Sequence, residues 1–219
     1  HIPLEVIEFI NRFPDDTDIA LVEFGGTVGE YQNEAFFEAA RMLATESPND
    51  VCFVHVGYVI NPPSLGEMKS KPMQMSIRAL NNLGLFPDVI VCRGERSVDE
   101  PRIEKIARTA GISPKAVFSC PNVDSIYKLP KLLNDQHILK PIFEKLKIKE
   151  PTCKIDDWKD LAEKIDTIKD EVKVAIVGKY YASGAYSLED SYISVLEALK
   201  HAGWASNVKV KLLWFDSEK

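Results

Sequence analysis

Short apolar runs of five to seven residues recur along the first half of the chain: DIALVEF (18–24), DVCFVHV (50–56), DVIVCR (88–93) and AVFSC (116–120). Stretches with apolar residues at helical spacing separate them. NEAFFEAARMLA (33–44) sets Phe36, Phe37, Ala40 and Leu43 on one face. PMQMSIRALNNLG (72–84) ends in Gly84, a suitable left-handed helix cap, and DEPRIEKIARTAG (99–111) carries Pro101 in its first turn and stops at Gly111. Continuous apolar strands alternating with amphipathic helices predict an α/β fold with a mostly parallel, doubly wound sheet. In such sheets ligands gather beyond the carboxyl ends of the strands.

Residues 124–146 read as helix broken by Pro130 and Pro141. Residues 147–171 are polar, but Trp158, Leu161, Ile165 and Ile168 form a stripe that predicts a helix bridging two domains. A new unit follows, with VKVAIVG (172–178) as a strand, SYISVLEALKHAG (191–203) as a helix ending in glycine, and VKVKLLWF (208–215) as a second strand. The organisation expected is a first domain over 1–148, a linker with a helix over 149–171, and a second unit over 172–219 holding one βαβ.

Composition is that of a globular chain: 219 residues, 45% hydrophobic and 27% charged, with a net charge of −6. The acidic balance argues against a broad nucleic-acid-binding face. No apolar run approaches the ~20 residues of a membrane span, and no signal peptide is visible. The four cysteines, Cys52, Cys92, Cys120 and Cys153, are far apart and read as free thiols of a reducing compartment. The start at His1 and the end within a strand-like run suggest a piece of a longer protein.

Two stretches carry candidate chemistry. In IALVE-FGGTVGE an apolar strand would end in Glu23, placing a carboxylate at the sheet's lip beside two glycines that admit a ligand to the backbone. Such an acid can hold magnesium, or can be only a solvated charge. In GEMKSKPMQ (66–74), Lys69 and Lys71 precede Pro72 at the start of a helix, where the dipole disfavours cations. An anion seated there would bind the free N–H groups and both ammonium groups, which points to a polyphosphate, against the alternative of a solvated lysine pair. Gln74 could read a polar edge such as a base. Lys105 lies opposite the Ile103, Ile106, Ala107 face of its helix and is expected to be exposed. His55 reads as a core histidine, and Gly178-Lys179 lacks the full phosphate-loop pattern.

The series VEFGGTVGE, GEMKSKPMQ, LFPDVIVCR, VDSIYKLP and VAIVGKY, in this order and spacing, resembles the CTP synthase family over nearly the whole chain. The resemblance implies a P-loop-like amidoligase domain joined to a class I glutamine amidotransferase domain, here represented by its first βαβ. It implies ATP- and Mg2+-dependent amination of UTP to CTP with ammonia from glutamine, in a cytoplasmic homotetramer inhibited by its product CTP. On that resemblance Glu23 is a magnesium carboxylate. Lys69, Ser70, Lys71, Pro72, Met73 and Gln74 form the UTP loop, which also holds CTP, with Lys105 a further nucleotide contact. Glu30, Tyr31 and Gln32 line an inhibitory CTP pocket, and the backbone at Asn122 and Val123 meets the ATP adenine.

This chain departs from the family pattern at GEYQ, commonly GDIE, and at KSKPMQ, usually KTKPTQ. The second change removes a hydroxyl at Met73, with the expected loss of a hydrogen bond to phosphate or ribose. The segment YASGAYSLEDSY lengthens the turn after the second unit's first strand. The phosphate loop and the amidotransferase triad are expected outside the chain, which would leave it catalytically incomplete. Two other readings stay open: a non-catalytic pyrimidine-nucleotide-binding or polymer-forming relative, and an ATP-dependent amidoligase acting on another substrate.

Overall fold

The computed structural model describes residues 1–62, 66–149, 155–179, 182–183, 186–187 and 189–217. Cys153 and residues 181, 184, 185 and 188 of the lengthened turn lie outside them. The chain divides into two compact units, His1–Lys154 and Ile155–Lys219.

The first unit runs α1 (Ile2–Ile10), α2 (Glu34–Glu46), β1 (Val54–Tyr58), α3 (Lys71–Asn82), β2 (Val89–Gly94), α4 (Glu100–Ala110), β3 (Val117–Pro121), α5 (Leu129–Asp135) and α6 (Leu139–Leu146). The strands form a parallel sheet in the order β1-β2-β3, with His55 opposite Ile90 and Ile90 opposite Val117. β2 lies in the middle, and its unbroken apolar run fits a strand covered on both faces, since five of its six residues are buried. Ile90 and Cys92 pack with Met73 and Ile77 of α3 and Ile106, Ala107 and Ala110 of α4 in one core cluster. Asp99 caps α4 by accepting the Arg102 N–H, and Gly111 closes it at φ 74°. Gly84, at φ 76°, follows α3 as its sequence position suggests.

β1 begins four residues later than the apolar run that predicts it. The cause is Asp88, whose carboxylate accepts the Phe53 N–H at 2.8 Å, while Phe53 O accepts from the N–H groups of Asp88 and Val89. This clamp steers residues 51–53 into the sheet without ladder pairing. At the other edge, Gln136 acts as a short surrogate strand. Its side-chain oxygen accepts from Ser119 N at 2.9 Å and its nitrogen donates to Ser119 O at 2.8 Å.

The strand expected over residues 18–24 does not form. The segment has no ladder partner among the described residues, and Leu21 is 92% exposed. An apolar run becomes a buried strand only with a neighbour to complete its hydrogen bonds and layers to cover its faces. Here Phe24 alone is anchored, its ring 5.8 Å from Phe37 and 6.2 Å from Phe36. α1 is an element that the sequence pattern did not suggest; it packs on α2.

The second unit contains α7 (Asp156–Thr167), β4 (Glu171–Gly178), a two-stranded antiparallel pair β5 (Ala182–Ser183) and β6 (Tyr186–Ser187), α8 (Ile193–Ala205) and β7 (Lys209–Asp216). β4 and β7 pair in parallel from Glu171–Lys209 to Gly178–Asp216, which makes the expected βαβ. α7, read as a bridging helix, belongs to this unit. Gly203 does not cap α8, which continues to Ala205. Its role is steric: a Cβ there would lie 2.8 Å from Val208 O, so glycine lets the helix lie close to the following strand. Parallel sheets with helical crossovers bear out the α/β class. Among the described residues no helix is long and apolar enough to cross a membrane.

Candidate functional site

The site candidates fall into three groups, and their separation is set by α3. Phe24 and Val28 pack with Leu80 and Leu85 in a second core cluster, near the C-terminal end of that helix. Lys71 is its first residue. Nine residues of helix at 1.5 Å each set Lys71 and Leu80 about 14 Å apart along the axis.

The first group lines an open cleft of ≈ 430 Å3 walled by Glu23, Phe24, Gly25, Gly26, Glu30, Gln32, Asn33 and Phe36. Asn33 Nδ2 donates to Gly25 O at 2.7 Å and fixes the glycine turn. Gly26 has φ 83°, a left-handed conformation that favours glycine, and a Cβ there would also displace the tips of the Glu30 and Asn33 side chains. Glu23, Glu30 and Gln32 are thus brought together. Tyr31, 85% exposed, is not among the residues that line the cleft.

The second group surrounds the start of α3. Backbone bonds tie Lys69 to Ile60 in both directions, N–H to O at 2.7 and 3.2 Å, just past the carboxyl end of β1. The Lys69 ammonium pairs with Glu67. Arg102 Nη2 lies 3.5 Å from the other Glu67 oxygen, and the charge of Lys105 also acts on this carboxylate. The Lys69 hydrogen bond, foremost, and the charges of Lys69, Arg102 and Lys105 hold the Glu67 carboxyl below its ordinary range. Lys71 is exposed and forms no ion pair with a described residue. Lys105 is exposed on α4, as its helical position predicts.

Three members of the loop face inward. Ser70 is buried, and its Oγ accepts from Gln74 Nε2 at 3.0 Å, so the Gln74 amide is engaged within the helix rather than presented as a base reader. Met73 is 1% exposed. A Cβ on Gly57 would lie 2.6 Å from its sulfur, so the methionine fills the space above a strand glycine. Its side chain offers nothing to a ligand at the surface, and the expectation that residue 73 faces phosphate or ribose is corrected on that ground. Pro72 is exposed in the first turn.

The third group follows β3. Asn122 N–H donates to Gly94 O at 2.8 Å, and Arg93 Nη2 lies 3.4 Å from Asn122 Oδ1. Asn122 and Val123 therefore stand at the carboxyl end of the sheet, where an adenine could meet the backbone.

The structure does not unite Glu23 with the lysines: neither Lys69 nor Lys71 lines the Glu23 cleft. It adds two residues that sequence reading missed, Glu67 and Arg102. The signal was available, since Glu67 stands two positions before Lys69, and Arg102 shares a helix face with Lys105 at i,i+3. His55 is a core histidine as expected. Burial lowers its pKa, and Nε2 lies 3.1 Å from Ser76 Oγ. The thiols of Cys52 and Cys92 are pushed up by burial to about 11 and about 12, well away from a reactive thiolate.

As to metal, the described residues contain no group of three His, Cys, Asp or Glu side chains able to hold an ion alone. Glu23 and Glu30 on one cleft nevertheless fit magnesium, which commonly takes one or two carboxylates and fills its shell with water and substrate phosphate oxygens.

Comparison with known proteins adds the family. Residues 1–148 match the family model described as CTP synthase N-terminus. Over its whole length the chain is 38% identical to the CTP synthases of Thermococcus gammatolerans and Pyrococcus furiosus across 219 residues, and to that of Symbiobacterium thermophilum across 223. It spans about 40% of the length of each of these relatives. A match over two-thirds of the chain, spanning the glycine turn, the lysine loop and the three-stranded sheet, places this chain in the CTP synthase family.

Proposed function

We propose that the protein carrying this chain converts UTP to CTP, taking nitrogen from glutamine and energy from ATP. The chemical logic is that a carbonyl oxygen leaves poorly. Transfer of the ATP γ-phosphoryl group to the uracil 4-oxygen turns it into a phosphate ester, and ammonia attacking C4 then expels phosphate. Lys69, Lys71 and Lys105 hold the UTP triphosphate as mobile point charges suited to a multiply charged group. Ser70, Pro72, Met73 and Gln74 shape the start of α3 that presents them, through the inward contacts of Ser70, Met73 and Gln74. The backbone at Asn122 and Val123 receives adenine. Glu23, with Glu30, provides hard oxygen ligands for magnesium, whose charge offsets that of the transferring phosphate. Glu30, Tyr31 and Gln32 take part in feedback binding of CTP.

The distance along α3 between the lysines and the Glu23 loop accords with a site completed by further chain, either from the same protein or from another copy in a homotetramer. The second unit, a parallel βαβ, is the opening of the glutamine amidotransferase domain. A cytoplasmic location accords with the free thiols.

The observation that carries the reading is the gathering of Lys69, Arg102 and Lys105 about Glu67, with the exposed Lys71 opening the adjacent helix, in a chain of this family. The test is conversion of UTP to CTP by the intact protein with ATP and Mg2+, supplied with glutamine or with ammonia. Product from both nitrogen sources is expected; product from neither would refute the assignment.

A further inference from the structure

We infer that Glu67 is an internal counter-ion of the nucleotide site, occupying the cations in the absence of phosphate and giving way when the triphosphate arrives. This rests on the reading of Lys69, Lys71 and Lys105 as phosphate ligands, and assigns the carboxylate beside them a restraining role.

The argument begins with charge. Among the described residues around the start of α3 are the cations Lys69, Lys71, Arg102 and Lys105 and the carboxylates Glu67 and Asp99. Glu67 divides its two oxygens between Lys69 and Arg102. An ammonium already paired with a carboxylate offers less of its charge to a phosphate, so the pair must open, or share, when the ligand binds.

A carboxylate in this position could instead position the lysine. The geometry limits that role, because the Lys69 backbone and the Arg102 side chain are held by other means. The Lys69 backbone is bonded to Ile60 through both its N–H and its carbonyl oxygen. Arg102 donates from Nε to Met68 O at 2.6 Å and from its guanidinium to Asp99, and its own N–H is accepted by Asp99. Removing the Glu67 charge would leave these anchors intact. The glutamate itself is about half exposed, so its pairs are of the solvated kind. Such solvated pairs are individually weak, and a triphosphate can displace them.

The sign of the effect follows. Neutralising Glu67 frees Lys69 and raises the net positive charge seen by the ligand, so the triphosphate binds more tightly. The test is UTP binding to the intact protein and its Glu67→Gln variant by calorimetry at low ionic strength, with melting temperature recorded for both. An equal melting temperature and a Kd for UTP lowered about two- to fivefold are expected, the release of one surface pair. Glu67→Asp, which keeps the charge, is expected to stay near the parent. Unchanged or weaker UTP binding in a normally folded Glu67→Gln protein overturns the inference. Should Glu67→Gln unfold, inorganic triphosphate binding to Glu67→Ala supplies the reading: tighter binding supports the inference, and unchanged or weaker binding contradicts it. Lys71→Ala run in parallel separates the two levels. If Lys71→Ala weakens UTP binding while Glu67→Gln changes nothing, the counter-ion role fails and the nucleotide site stands. If neither variant moves UTP binding, the nucleotide site itself fails.

Discussion

Replacing Lys71 with alanine in the intact protein is expected to raise the UTP concentration needed for half-maximal CTP formation by about ten- to a hundredfold. That range is the loss of one charge-assisted contact, about 1.5–3 kcal/mol. Lys71 forms no ion pair with a described residue, so its charge is free for a ligand. It opens α3 ahead of Pro72, where helix N–H groups have no partner within the helix. A cation in that place weakens the isolated helix, and a bound polyphosphate reverses the penalty. Glutamine hydrolysis, assigned to a different domain, should change little. The measurement is a UTP titration of parent and variant with glutamine hydrolysis followed alongside. An unchanged UTP response would show that Lys71 is only a solvated charge.

Converting Met73 to the threonine more usual in the family is expected to destabilise the first unit by about 2–4 kcal/mol, measured by denaturant unfolding, without improving UTP affinity. The side chain is 1% exposed and packs with Ile77, Ile90 and Cys92. Threonine removes the thioether that lies over Gly57 and leaves space there, and truncating a buried large side chain costs this order. The new hydroxyl would also need a partner among apolar neighbours. A gain in UTP affinity with unchanged stability would mean that residue 73 faces the ligand after all.

The elements most legible in the sequence were those with strong periodicity and clear punctuation. The α4 helix shows both: Asp99 at its cap, Pro101 in its first turn and Gly111 in a left-handed close. The run 88–93 predicted a strand buried on both faces, and β2 is one. Residues 18–24 were equally apolar, but periodicity reports burial tendency and cannot supply a hydrogen-bonding neighbour. Gly203 was read as punctuation because a glycine ended the apolar pattern. Its use is close packing on Val208, a tertiary fact with no local signature.

At the site, the motifs located the lysine loop and the glycine turn at the level of segments, and they were less informative about direction. Gln74 and Met73 sit within one helical turn of the exposed Lys71 but on the buried side of the helix, a distinction that the facing residues Ser70 and Gly57 decide. Glu67 and Arg102 escaped notice because the contact joins a loop to a helix thirty-odd positions away, with Arg102 reaching Met68 O.

The most direct measurement is footprinting of lysine amines in the intact protein with an acylating reagent, read by mass spectrometry with and without UTP. Protection of Lys69 and Lys71 by UTP is predicted, with unchanged labelling of Lys115, an exposed lysine before the opposite, amino end of β3. Equal labelling of Lys69 and Lys71 in the presence and absence of saturating UTP would contradict a phosphate seat at the start of α3.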